Sequence, residues 1–199
     1  MKSRDRTIAL LKIGIGITMP IAVLIGYMPI PEYLVEFTCI SNTLGGILLV
    51  TDGMAGLKGK SVPAVLYRNI AVGIFVVFAI CMGSLTGAYH MNFKGAFFYL
   101  HAVSPVLFIL CYILFCHERK GKTIRKLLPT PILMLAYLLF DFILGKSRGS
   151  FVYGFFTPEE VSIAGALAIG ALFYIMLFAV GALFLFLNRL ASSASRLPA

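Results

Sequence analysis

Residues 163–187 read IAGALAIGALFYIMLFAVGALFLFL, a run from Ile163 to Leu187 without one charged side chain. A helix rises about 1.5 Å per residue, so about 20 such residues cross a hydrocarbon core ~30 Å thick. A membrane strand would instead need segments of about 10 residues that alternate apolar with polar. This run does not alternate, and its Ala, Leu and Gly content suits a helix whose backbone bonds are all made within the segment.

Five more apolar blocks precede it, separated by short polar stretches. The pattern predicts spans at about 8–28, 33–51, 65–87, 96–116, 127–145 and 160–188. Of the 199 residues 60% are hydrophobic and 13% charged, with a mean hydropathy of +0.96, far more apolar than a soluble core needs. The expected fold is all-α: a polytopic membrane protein, one domain over 1–199 formed by a bundle of six transmembrane helices. The first span follows Lys2, Arg4 and Arg6 but has no small-x-small cleavage site and exceeds a signal-peptide core, so it reads as a retained helix.

The net charge of +9 would point to nucleic acid in a soluble chain; here its placement carries the information. The N-terminus, the segments after spans two and four and the C-terminus hold fourteen basic residues, against Lys94, Lys146 and Arg148 in the opposite set, which together make the seventeen of the sequence. The positive-inside rule then sets both termini in the cytoplasm of an integral membrane protein. Membrane lipids are the expected partners, through basic stretches such as 117–126, and no nucleic acid is expected. The sequence specifies no oligomeric state.

With that topology, position converts into depth. Thr38, about a turn and a half into span two, His101, equally far into span four, and Asp141, about a turn before the end of span five, fall at one level below the outer surface. His and Asp are costly in lipid and face a bundle interior, a partner or a water-filled cavity. Their alternative role is to glue helices together, at about 1 kcal/mol per hydrogen bond. Thr38, Ser41 and Asn42 share one helix face by their i, i+3, i+4 spacing, a polar stripe opening outward. Pro105 cannot donate to the His101 carbonyl four residues earlier, so a bend that opens a pocket beside the imidazole is expected. Ser84, Thr86, Tyr89, His90 and Asn92 add ordinary interfacial polarity on the same side.

The segment from Lys146 to Glu160 is aromatic and turn-rich, with Tyr153, Gly154, Phe155 and Phe156, and reads equally as an interfacial belt or as a lid. Cys39, Cys81, Cys111 and Cys116 show no CxxC spacing and the histidines do not cluster, so no metal and no cofactor are expected. Phosphate loops, GxSxG and HExxH are absent. Ala166 with Gly170, and Gly45 with Gly46, read as small-residue packing sites.

Phe37-Thr38-Cys39-Ile40-Ser41-Asn42, then His101-x3-Pro105, then Tyr153-Gly154-Phe155-Phe156, resemble the androgen-induced-gene/FAR-17a-like and bacterial Pr6Pr-like integral membrane proteins over roughly residues 33–158. The chain departs from their pattern in having Gly154 where their loop favours proline, and no aspartate after Phe156. The resemblance implies a hydrolase of fatty acid esters, with Thr38 as nucleophile and His101 as base and a lipid ester as substrate. A triad-like orienting role for Asp141, oxyanion donation by Ser41 and Asn42, and substrate contact by Tyr153 and Phe155 complete this expectation. Two other classes stay open: a small transporter with a His101–Asp141 relay, and a non-catalytic scaffold that binds lipid.

Overall fold

The computed structural model describes residues 3–83, 94–116, 118, 121–154 and 157–194. Among them there is no strand, and six long helices follow one another: α1 (Ser3–Tyr27), α2 (Phe37–Leu57), α3 (Ala64–Gly83), α4 (Gly95–Phe115), α5 (Thr123–Arg148) and α6 (Ile163–Ala194). A turn over 128–131, at Pro129 and Pro131, breaks α5 into Thr123–Leu127 and Ile132–Arg148, as residues that cannot donate to the helix ladder would. The chain is an all-helical integral membrane protein, in which every helix but α2 is long and apolar enough to cross a bilayer.

The exception has a physical cause. α2 buries Thr38, Ser41, Asn42 and Asp52 beside Gly45, Gly46 and Gly53, so its polar and small residues face protein instead of lipid. The opposite face stays apolar, with Leu44, Ile47 and Met54 exposed. The helix also starts later than the second span expected from sequence, because Pro31–Val35 forms a separate short 3-10 turn. α6 likewise begins at Ile163 and runs past the expected end at 188, to Ala194. The end of the third span and Ser84, Thr86, Tyr89, His90 and Asn92 lie outside the described residues, as do His117, Arg119 and Lys120 of the basic stretch.

Glycine lets α1 and α2 touch. A Cβ at Gly46 would stand 2.6 Å from the Gly16 carbonyl oxygen, and one at Gly16 would stand 2.7 Å from that of Gly46. Close backbone approach of this kind drives association where lipid offers no hydrophobic gain. The pairing expected at Gly170 of α6 does not occur within the chain: a Cβ there would meet nothing, whereas Gly181, about three turns farther along the same face, lies against Thr130.

The end of the bundle where α2 finishes is tied by buried ion pairs. Lys12 Nζ lies 2.6 Å from Asp52 Oδ2, which also accepts the Tyr67 hydroxyl at 2.9 Å, while Oδ1 accepts the Val62 N–H. Arg68, fully buried, donates to Thr130 Oγ1 at 3.0 Å and to Glu118 and the Lys126 carbonyl. Asn188 Nδ2 donates to the Tyr112 and Cys116 carbonyls at 2.8 and 2.7 Å, tying α6 to the C-terminus of α4. Removing one partner of such a buried pair costs about 3–5 kcal/mol, because the other charge is stranded. These ties fix the relative heights of α1 to α4, and hence what meets at the far end.

Candidate functional site

At that far end α2 begins, α1 and α5 finish and α4 starts. α4 opens with one α-turn, Gly95–Phe98, and then widens into a π-helical turn, Tyr99–Val103. The Ser104 N–H bonds the Tyr99 carbonyl five residues back, immediately before Pro105, which has no N–H to give. The irregularity foreseen at Pro105 is thus a π-bulge, a feature frequent at functional sites, and it carries His101. The imidazole is not beside an open pocket: His101 is 4% exposed and stacks on the Phe97 ring, centroids 4.0 Å apart.

Thr38 Oγ1 lies 3.3 Å from His101 Nε2. The opposite nitrogen, Nδ1, lies 2.8 Å from the Phe97 carbonyl oxygen, which only accepts, so Nδ1 carries the proton. Nε2 is left with its lone pair toward the Thr38 hydroxyl. A hydroxyl held against a basic nitrogen whose tautomer is fixed from behind is the arrangement an activated nucleophile needs.

Asp141 does not take the orienting role expected of it. Its Oδ1 accepts the Val152 N–H at 2.9 Å, and the Phe97 carbonyl already stands where an orienting carboxylate would. Asp141 holds the loop after α5 instead. That loop is further seated by the Phe151 ring against Gly145 and by Lys146 donating to the Pro158 carbonyl. Gly149, with φ +78°, supplies the left-handed residue that ends α5 and turns the chain back.

Ser41 and Asn42 are not oxyanion donors either. Ser41 Oγ donates back to the Thr38 carbonyl at 3.4 Å; Asn42 Nδ2 donates to that same carbonyl at 2.8 Å and to the Leu100 carbonyl at 3.2 Å. Asn42 Oδ1 accepts the Ser104 hydroxyl at 2.5 Å. With both residues fully buried, the stripe is closed against α4 and does not open outward. Asn42 is the pin that sets α2 against the π-bulge.

Tyr153 reaches the site from the loop. The residue is 38% exposed, but its hydroxyl turns inward and accepts the Thr38 N–H at 3.4 Å. Burial pushes this phenol up to about 12, so it stays neutral at any physiological pH. Phe155 lies outside the described residues. Thr38 itself is 3% exposed, closed over by Tyr153. Sequence reasoning passed over Ser104, three residues beyond His101, and Tyr137, four before Asp141, although the i, i+3 and i, i+4 spacings put each on a face already marked. It had no means of finding the Phe97 carbonyl, which is backbone.

Among the described residues no group of His, Cys, Asp and Glu is placed to hold a metal. Compared with models of protein families, with curated proteins and with solved structures, the chain finds no match.

Proposed function

We propose that this protein is an intramembrane hydrolase of lipid esters, with Thr38 as nucleophile and His101 as general base. In this reading the chain spans the bilayer six times with both termini in the cytoplasm, the ion-paired end inside and the Thr38 end in the outer leaflet. Membership of the androgen-induced-gene/FAR-17a-like family, resembled in sequence, belongs to the same proposal. The observation that carries it is the 3.3 Å approach of Thr38 Oγ1 to an imidazole nitrogen freed to accept a proton by the Nδ1–Phe97 bond.

The chemistry follows from that pair. Thr38 Oγ1 attacks the ester carbonyl carbon as His101 Nε2 takes the hydroxyl proton, and the carbonyl electron pair moves onto oxygen. When the carbonyl re-forms, the alcohol leaves with the proton from Nε2, and the acyl group stays on Thr38. Water, deprotonated by the same nitrogen, then attacks the acyl-threonine and regenerates the hydroxyl. Desolvation by the closed site strengthens each of these polar interactions.

The competing scaffold reading is favoured by one observation, that Asn42 and Asn188 bond carbonyls of neighbouring helices, as glue residues do. A relay between His101 and Asp141 has no such support, since each has another partner. The deciding experiment incubates the purified full chain in micelles with a panel of fatty acid esters, beside Thr38→Ala. Hydrolysis abolished by the substitution, with the thermal midpoint kept, is the expected result; hydrolysis that survives it refutes the nucleophile.

A further inference from the structure

α2 starts without a cap of its own. Glu36, which precedes it, makes no side-chain cap bond, and Phe37 and Thr38 are its first residues, so their N–H groups have no acceptor within the helix and stand at its positive end. The group that meets them comes from the segment after α5. The Tyr153 hydroxyl oxygen accepts the Thr38 N–H at 3.4 Å and also faces the Phe37 N–H and the Thr38 side chain. A phenol oxygen that accepts from backbone keeps its own O–H with which to donate.

Tyr153 is held from both sides. The Val152 N–H is fixed by Asp141 Oδ1 at 2.9 Å, and Gly154, with φ +62°, returns its N–H to the Phe151 carbonyl at 3.2 Å, closing a turn with Tyr153 inside it. The ring packs edge-on against that of Tyr137, centroids 6.4 Å apart. Ester cleavage by Thr38 needs a donor so placed, within about 3 Å of the carbonyl oxygen as that oxygen takes up charge. Ser41 and Asn42 cannot supply it, because their donors are held by backbone carbonyls. The attacked carbonyl must come against Thr38 Oγ1, and the Tyr153 hydroxyl borders that same side chain.

We propose that Tyr153 is the catalytic oxyanion donor of the site, its hydroxyl oxygen backed by the N–H groups at the head of α2 and its O–H given as a hydrogen bond to the ester carbonyl oxygen. The inference rests on the hydrolase reading of Thr38 and His101. As the bond from Thr38 Oγ1 to the carbonyl carbon forms, the carbonyl electron pair moves onto oxygen, and Tyr153 donates to that oxygen while keeping its proton. The proton that transfers is the one His101 takes from Thr38; when the carbonyl re-forms, the alcohol leaves with it and the Tyr153 hydrogen bond weakens again. Burial, which pushes the phenol up to about 12, keeps the O–H intact at neutral pH. Donation from the positive end of α2 into the phenol oxygen polarises its O–H and strengthens it as a donor, as successive hydrogen bonds in a chain do. Asp141 is then a positioning residue that acts on the oxyanion through Val152 and Tyr153 and not on His101.

The test uses the full chain in micelles with p-nitrophenyl octanoate as probe, comparing Tyr153→Phe and Thr38→Ala with the unsubstituted protein. Tyr153→Phe is expected to lower kcat by about 10²–10³-fold with KM unchanged. Octyl trifluoromethyl ketone, whose carbonyl adds to the threonine as an oxyanion, is expected to lose affinity for Tyr153→Phe by a similar factor. A tyrosine that only caps α2 would lower the thermal midpoint and leave kcat and ketone affinity of the folded fraction intact, and one that only contacts the acyl chain would raise KM alone. Either result, with Thr38→Ala inactive, overturns the oxyanion donor and leaves the hydrolase standing. Should the phenylalanine variant fold poorly, ring-fluorinated tyrosine at 153 acidifies the donor with little change of shape; kcat is expected to rise with that acidity, and a kcat that does not respond overturns the donor. Turnover in Thr38→Ala, or no turnover by the unsubstituted protein, overturns both.

Discussion

Asn42→Ala tests whether the pin between α2 and the π-bulge governs the site. The substitution removes two donated bonds, to the Thr38 and Leu100 carbonyls, and one accepted from Ser104. Hydrogen bonds between membrane helices average about 0.6 kcal/mol and reach about 1.7; two of the three cross to α4 and the third stays within α2, which predicts a loss of about 1–2 kcal/mol. Ser104 keeps a second, longer bond to the Leu100 carbonyl at 3.4 Å, which limits the cost of stranding it. The assay is reversible unfolding in mixed micelles, combined with Ser104→Ala in a double-mutant cycle. A coupling of about 1 kcal/mol between the two is expected, since they share the 2.5 Å bond. Turnover should fall further than stability, by about 10²-fold in the folded fraction, because a displacement of about 1 Å between nucleophile and base is enough to cost that much. A loss below about 0.5 kcal/mol together with full activity would refute the reasoning, since it would mean that Thr38 and His101 are aligned by other contacts.

Two further outcomes check the packing and the loop. Gly46→Ala sets a methyl 2.6 Å from the Gly16 carbonyl oxygen and 2.7 Å from Pro20 Cδ, and is expected to destabilise by about 1–3 kcal/mol in the same unfolding assay, whereas Gly14→Ala, with nothing nearby, should be neutral. Asp141→Asn weakens the tie to the Val152 N–H and so loosens the Tyr153 loop; kcat/KM for esters is expected to change while the pH midpoint of kcat stays put, and a moved midpoint would show that Asp141 acts on His101 after all.

The sequence reveals the helices because lipid imposes one demand on all of them, an uninterrupted apolar length. α2 shows the limit of that demand. Its buried face carries Thr38, Ser41, Asn42 and Asp52, which lower its hydropathy, so the residues that weaken it as a span are the ones that make it the site helix. Thr38 and His101 were legible as a pair because membrane depth can be computed from topology, and each sits at a comparable rise from the same surface. Rotation about the helix axis was less legible. Asp141 shares their depth but points along the loop to Val152, and Ser41 and Asn42 share the Thr38 face but were expected to look outward when in fact α4 covers them. The partners of Lys12 and Arg68, two of the fourteen basic residues in the charge-rich set, were not legible either: each is enclosed by an acidic side chain at the bundle end.

The substitution of a backbone carbonyl for an orienting carboxylate has a chemical consequence. Both fix the tautomer by accepting from Nδ1, but only a carboxylate also carries the full negative charge that stabilises the imidazolium formed when Thr38 is deprotonated. At His101 that charge is absent from the second nitrogen, and the ring is stacked on Phe97 in a closed, apolar surround. The imidazolium is therefore the costly species on the proposed route, and more of the barrier must be lowered at the other end of the tetrahedral intermediate, on the oxyanion.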